Sequence, residues 1–347
     1  MNNPFDIQIT NASLSFLPVT TRMSLKFGNE VLTSVTCARA SVTVKRSDGE
    51  SVQGWGETPL SVQWVWPSEI SYQERQSALI EFSEILAGKC HLTGEYGHAL
   101  ELGYTLFFKK LPLLLQEYNQ EERAGLEPMP WLAALVCASP FDLALHDAYG
   151  MVNKKPIYQL YNSTYLNFDL SHFLEPEEGS GISFAGKTPS DFLDLSVPEE
   201  IPVWHLVGGL DPLNRDELTG DEPDDGYPVH LEEWIESDGL NCLKIKLRGN
   251  DSAWDYSRLQ AIGRIAEEKC VDFLTTDFNC MVTQPDYVNQ ILDQLKCDHP
   301  EIWEKILYVE QPFPYDLEKY RIEVHSLSQR QPLFMYERAH HWEHVRL

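Results

Sequence analysis

The chain lacks any run of about 18 uninterrupted apolar residues, and its opening stretch, MNNPFDIQIT, has neither the basic start nor the apolar segment of a secretory leader. A membrane-spanning helix is therefore not expected, and a cytoplasmic location is. Basic side chains are scarce: 27 Lys and Arg stand against 53 Asp and Glu, for a formal net charge of −26. Such a surface repels phosphate backbones and anionic lipid, so neither nucleic acid nor a membrane is an expected partner, whereas metal cations are. Cys37, Cys90, Cys137, Cys242, Cys270, Cys280 and Cys297 are scattered, odd in number and free of any CxxC pair. That usage excludes a zinc ribbon and predicts buried, inert thiols in a reducing compartment. The acidic stretch Asp211–Gly226 has no EF-hand frame and is expected to be a solvated loop or lid. The terminal HHWEH places His340 and His344 at i, i+4 but lacks the HExxH order, so a loop beside the last strand is expected there rather than zinc.

What is present is a folded chain of 347 residues with 43 % hydrophobic residues, enough for a large core and about two domains. Thr36–Arg46 alternates with period two, Ser47-Asp48-Gly49-Glu50 signals a turn, and Ser51–Glu57 resumes the alternation, which predicts a hairpin. Helical spacing follows over Gln73–Ala87, Tyr96–Glu121 and Pro130–Val152. The second half changes rhythm. Short β-branched or aromatic runs begin at Ile201, Asn241, Val271, Lys305 and Gln331, with helical stretches such as Trp254–Lys269 and Asp286–Leu295 between them. Strands alternating with helices predict βαβ units and a parallel sheet. Ser171–Glu200, rich in Gly, Pro, Ser and acid, reads as a long connection.

The chemistry sits at the strand ends. In a strand, residues i and i+2 share a face, so Lys244 and Lys246 of LKIKL project together while Leu243, Ile245 and Leu247 face the other way. Asp277 and Asn279 repeat the pairing, and the next two runs end in Glu310 and Glu337. Each acid lies at the C-terminal end of its strand, where parallel α/β folds build active sites. Clustered carboxylates raise one another's pKa unless a cation opposes them. Oxygen donors without His or Cys favour a hard divalent ion, so Asp277, Glu310 and Glu337 predict magnesium, with manganese as a substitute. A cation beside two lysines lowers the ammonium pKa, which makes one of them a base for abstracting a proton next to a carboxylate. The metal stabilises the enediolate charge that develops.

Taken together, LKIKL, TTDFN, VEQP and FMYER resemble the enolase superfamily, in particular its mandelate racemase and muconate lactonizing enzyme group. SDGESVQGWGETPL from Ser47 and SPFDLALHDAYGMVNKKPIYQLY from Ser139 resemble the capping-domain hairpin and last capping helix of the same group. The resemblance implies an α+β capping domain over residues 1–165 and a (β/α) TIM-type barrel over 166–347. It implies that Asp277, Glu310 and Glu337 hold Mg2+, that Lys246 is the base, that Lys244 polarises a substrate carboxylate and that Asn279 lines the site. The expected activity is abstraction of the proton α to a small-molecule carboxylate, as in a racemase, epimerase, dehydratase or cycloisomerase. A specificity loop is expected around Leu17–Gly28, and symmetric homo-oligomers are a habit of the group. Trp55, Trp64 and Trp66 are expected to be packing residues. Only five of eight barrel strands are accounted for, roughly 90 residues short at the usual unit length. The alternative expectation is therefore a truncated, non-catalytic fragment or remnant that acts only through binding.

Overall fold

The computed structural model describes residues 3–27, 30–90, 94–194, 196–314 and 319–335. The chain divides into two compact units: Met1–Val19 with Ser34–Pro198, and Thr20–Thr33 with Glu199–Leu347. The division therefore falls at 198/199 rather than at the expected 165/166. Residues after 165 stay with the first unit because Leu166 and Leu170 are buried, and because the Asn167 side-chain amide donates to Asp6 and Glu101.

The first unit starts with β1 (Ile7–Phe27), β2 (Glu30–Arg46) and β3 (Ser51–Pro59), in sheet order β1-β2-β3. β2 and β3 are antiparallel, with Lys45 opposite Ser51 and Cys37 opposite Pro59, as the alternation predicts. The loop expected over Leu17–Gly28 is instead strand as far as Phe27; Gly28 lies outside the described residues. Met23, Leu25 and Phe27 alternate with Arg22, Ser24 and Lys26, which is a strand pattern.

Helices α1 (Val62–Val65), α2 (Tyr72–Lys89), α3 (Ala99–Gly103), α4 (Leu111–Glu121) and α5 (Trp131–Val152) follow. The helix expected over Tyr96–Glu121 is split by a π-helical stretch at Tyr104–Lys110. Pro112, near the start of α4, has no N–H to donate and its ring crowds the carbonyl of the preceding turn, so the chain widens there. Helix α5 lies directly on β3. A Cβ on Gly54 would come 2.3 Å from the Ala148 nitrogen, and one on Gly56 would come 2.1 Å from the Pro140 oxygen. Trp55, between them, points the other way and is 54 % exposed, so it is not the packing residue expected. Trp66 is one: it is buried, its indole N–H donates to Glu127 at 2.7 Å, and the Arg123 guanidinium lies 4.8 Å over its ring.

His98 sits in this core with no exposure. Its Nδ1 accepts from the Leu100 N–H at 3.0 Å, so its Nε2–H is the donor to the Leu160 carbonyl at 3.2 Å. Burial first, and the neighbouring His146 second, push its pKa down to about 3.

The second unit contains β4 (Trp204–Val207), α6 (Leu231–Asp238), β5 (Cys242–Lys246), α7 (Ser252–Glu268), β6 (Phe273–Asp277), α8 (Pro285–Asp298), α9 (Pro300–Lys305), β7 (Ile306–Glu310), α10 (His325–Ser328) and β8 (Leu333–Phe334). Each strand lies within an expected run, and the five form one parallel sheet in order β4-β5-β6-β7-β8. Leu243, Ile245, Leu274 and Val309 share a core with Leu259, Ile262 and Leu292 of the helices. Burying each such side chain contributes roughly 1.5–3 kcal/mol. The sheet is curled. Trp204 on β4 and Tyr308 on β7 have ring centroids 6.3 Å apart, although three strand spacings separate those strands by about 14 Å in a flat sheet. Among the described residues the five strands form one curved parallel sheet.

No helix among the described residues is long and apolar enough to cross a membrane. All seven cysteines are free, but Cys270 and Cys297 are exposed, so the expectation of uniformly buried thiols fails at the C-terminal ends of α7 and α8. Burial pushes the thiols of Cys90 and Cys137 up to about 12.

Candidate functional site

The parallel register sets Lys246 beside Asp277, Asp277 beside Glu310, and Glu310 beside Phe334. One row at the C-terminal end of the sheet thus holds a lysine and two carboxylates from three successive strands. Lys244 stands one step back on the same face. Its Nζ lies 2.5 Å from Glu310 Oε1 and 3.2 Å from Asp277 Oδ2, bridging the two acids. Lys246 Nζ donates to Asp277 Oδ2 and, at 3.0 Å, to Asn279 Oδ1. The carboxylates are almost fully buried, with 1 % exposure for Asp277 and 2 % for Glu310.

The backbone turns sharply just beyond this row. Asn279, Cys280 and Gln311 adopt φ of 54°, 59° and 43°, left-handed values that a side chain rarely takes. Asn279 is held there on every side: its N–H donates to Asp277 Oδ1 at 2.8 Å and its Nδ2 to the Leu247 carbonyl at 2.6 Å. The Cys280 N–H donates to the Gln311 carbonyl at 2.6 Å, tying the two turns together. Left-handed turns clear the chain away from the strand ends and leave the acids pointing into the concave face.

Both lysines reach this acid pair: Lys244 bonds Asp277 and Glu310, and Lys246 bonds Asp277. Burial lowers the Lys244 pKa, but Asp277 and Glu310 together outweigh burial and the net shift is upward. The donor set suits a hard cation, since Asp277 and Glu310 offer oxygen alone with no His or Cys beside them. It supplies two ligands: no group of three or more His, Cys, Asp or Glu among the described residues could hold a metal. Glu337, the third expected ligand, lies outside the described residues, as do His340 and His344.

Two features had no sequence signal. A cavity of about 190 Å³ opens at the C-terminal end of β4, lined in part by Met23, Leu25, Leu206, Val207, His230 and Trp234. None of Lys244, Lys246, Asp277 and Glu310 lines it; His205 and Trp234, whose rings lie 5.4 Å apart, do. Its wall from the β1 segment is held by Arg22, which forms a two-pronged pair with Asp225 at 2.7 Å and donates to the Pro228 carbonyl at 3.0 Å. The acidic loop is therefore anchored at this end, and Arg22 holds the Asp225 carboxyl down at about 2. The second feature is the buried Asp255 of α7, which accepts from backbone N–H groups just beyond Lys246. A lone Asp in an amphipathic helix gives no hint of that.

No family model matches the chain, and no curated protein matches it in sequence. Solved structures do match it in fold. An enolase from Bradyrhizobium, complexed with magnesium and mandelic acid, superimposes with TM-score 0.53 at 14 % identity, covering 95 % of this chain and 67 % of its own. The L-Ala-D/L-Glu epimerase from Bacillus subtilis gives TM-score 0.54 at 16 % identity, over 94 % of this chain and 67 % of that one. The N-succinyl Arg/Lys racemase from Bacillus cereus gives TM-score 0.53 at 15 % identity, over 94 % and 65 %. The chain thus spans about two thirds of the length of these proteins. At such identities the likeness is one of fold, and it agrees with the resemblance that the motifs carry.

Proposed function

We propose that this chain carries the site of a magnesium-dependent enzyme that abstracts the proton α to a substrate carboxylate, giving racemisation, epimerisation or a related elimination. The observation that carries this reading is the level row of Lys246, Asp277 and Glu310 across three parallel strands, with Lys244 bridging the acids. The two carboxylates would hold the ion, with Glu337 as the proposed third ligand. Magnesium, when bound, supplies positive charge to stabilise the enediolate that forms as the proton leaves. Lys246, entering the step as the neutral amine, would take the proton at Nζ and become the ammonium. Lys244 binds and orients the substrate carboxylate, and Asn279 steadies Lys246 through its Oδ1. The fold neighbours support the reading, since one is complexed with magnesium and mandelic acid and others are an epimerase and a racemase.

The test is deuterium incorporation from solvent at the α-carbon of a panel containing mandelate, dipeptides and N-succinyl amino acids, with magnesium present. Wild type should exchange at least one of them and Lys246→Ala none. Magnesium should also raise the melting temperature by mass action in wild type and not in Asp277→Asn. Absence of both effects in wild type would leave a binding-only protein with inherited acids.

A further inference from the structure

Asp255 is wholly buried, yet among the described residues no lysine or arginine side chain bonds to it. Its partners are neutral donors aimed at one short stretch of chain. Oδ1 accepts from the Arg248 N–H at 2.7 Å, and Oδ2 accepts from the Gly249 N–H at 2.9 Å and from the Tyr287 hydroxyl at 2.7 Å. Such bonds to a carboxylate are about twice as strong as neutral ones. They are not needed to start α7, because Asp251 already caps that helix by accepting from the Trp254 N–H at 3.1 Å. Asp255 instead reaches back from the helix to the turn that begins two residues after Lys246.

That turn is coupled to the one after β6. Gly249 has φ +70°, and a Cβ there would come 2.9 Å from the Phe278 carbonyl oxygen and 2.8 Å from Met281 Cβ. Tyr287, the third donor to Asp255, sets its ring edge-on to Phe278 at 6.3 Å. Leu247, between Lys246 and the braced turn, donates its N–H to the Asp277 carbonyl at 2.8 Å and accepts from Asn279 Nδ2 at 2.6 Å. A continuous bonded path thus runs from Asp255 through Leu247 to both partners of the Lys246 ammonium.

We propose that Asp255, with Tyr287, is a positioning residue: it clamps the turns after β5 and β6 together and so holds Lys246 against Asp277 and Asn279. Its catalytic meaning rests on the proton-abstraction reading, but the clamp can be tested without it. Amide hydrogen exchange at single-residue resolution is measured on the full chain for wild type, Asp255→Asn, Tyr287→Phe and the control Tyr256→Phe. The control removes only a hydroxyl bonded to Asp298 on the exposed side of α7. Asp255→Asn should speed exchange at Arg248 and Gly249 by about tenfold, the effect of losing a bond to a charged acceptor. Exchange at Leu247 and Asn279 should rise at least threefold. Tyr287→Phe should raise Gly249 and Asn279 in the same sense, and Tyr256→Phe should change none of the four.

On the carboxylic acid that wild type deuterates fastest, Asp255→Asn should lower kcat about tenfold with KM within twofold. If Leu247 and Asn279 exchange at the wild-type rate while Arg248 and Gly249 open, Asp255 is a local brace and the proposal falls. If Asp255→Asn does not fold, unchanged exchange at Asn279 in Tyr287→Phe overturns it. A wild type that deuterates no acid sinks the proton-abstraction reading alone, and the amide pattern still decides the clamp.

Discussion

Acidification should destabilise the first unit through His98. In the folded chain its pKa is about 3, chiefly because burial opposes the charged ring, against an ordinary value of 6.5. The unfolded chain therefore binds the proton first as pH falls. Stability from this group is complete above about pH 6.5 and is lost progressively as pH drops towards 3. At 1.36 kcal/mol per pH unit, the loss is about 2 kcal/mol at pH 5 and about 3 kcal/mol at pH 4. Because the ring has no exposure, no solvent screening reduces this figure.

The assay is urea unfolding from pH 7.5 to 4 for wild type and His98→Asn. Asparagine keeps an acceptor for the Leu100 N–H but has nothing to titrate. The carboxylates contribute to both proteins and largely cancel in the difference. Wild type should be the more stable at pH 7.5, with the gap closing by about 3 kcal/mol at pH 4. His146 is close enough to couple, so His146→Gln and the double variant complete the cycle. A gap that stays constant across the range would refute the argument, as would a ring signal of His98 that titrates near pH 6 by NMR.

Other outcomes follow from the same coordinates. Glu310→Gln leaves the partly exposed Lys244 with Asp277 alone and should cost about 1–3 kcal/mol, read by urea unfolding, besides abolishing magnesium-induced stabilisation. Gly56→Ala forces a methyl group into the α5 backbone and should lower stability by about 3 kcal/mol or prevent folding, measured by thermal unfolding of the expressed chain. A thiol reagent should label Cys270 and Cys297 in the native protein within minutes and the five buried cysteines only after denaturation, as peptide mapping will show.

Much of this was legible from alternation and spacing. Period-two runs mark β2 and β3, short β-branched or aromatic runs mark the five parallel strands, and acids at the strand ends mark the candidate site, because each depends on local pattern. Features set by long-range partners were not legible. Nothing local reveals that Asp255 reaches Arg248 and Gly249, or that Arg22 meets a carboxylate 203 positions away. That Lys244 bridges Asp277 and Glu310 is set by three strands meeting in register, which no local pattern shows. The loop expected over Leu17–Gly28 is strand as far as Phe27, in keeping with the alternation of Met23, Leu25 and Phe27 with Arg22, Ser24 and Lys26.

The glycines at 54 and 56 bear on how chains of this kind diverge. They are part of the GWGE stretch, and their side of β3 meets the α5 backbone and the Leu143 Cβ, with no room for a methyl group. Selection on them acts through folding and is blind to turnover. A descendant that had lost its lysines and acids would keep those glycines as long as α5 kept its seat. A search for this hairpin therefore finds the architecture, and the proposed chemistry has to be sought separately, in the row of Lys246, Asp277 and Glu310.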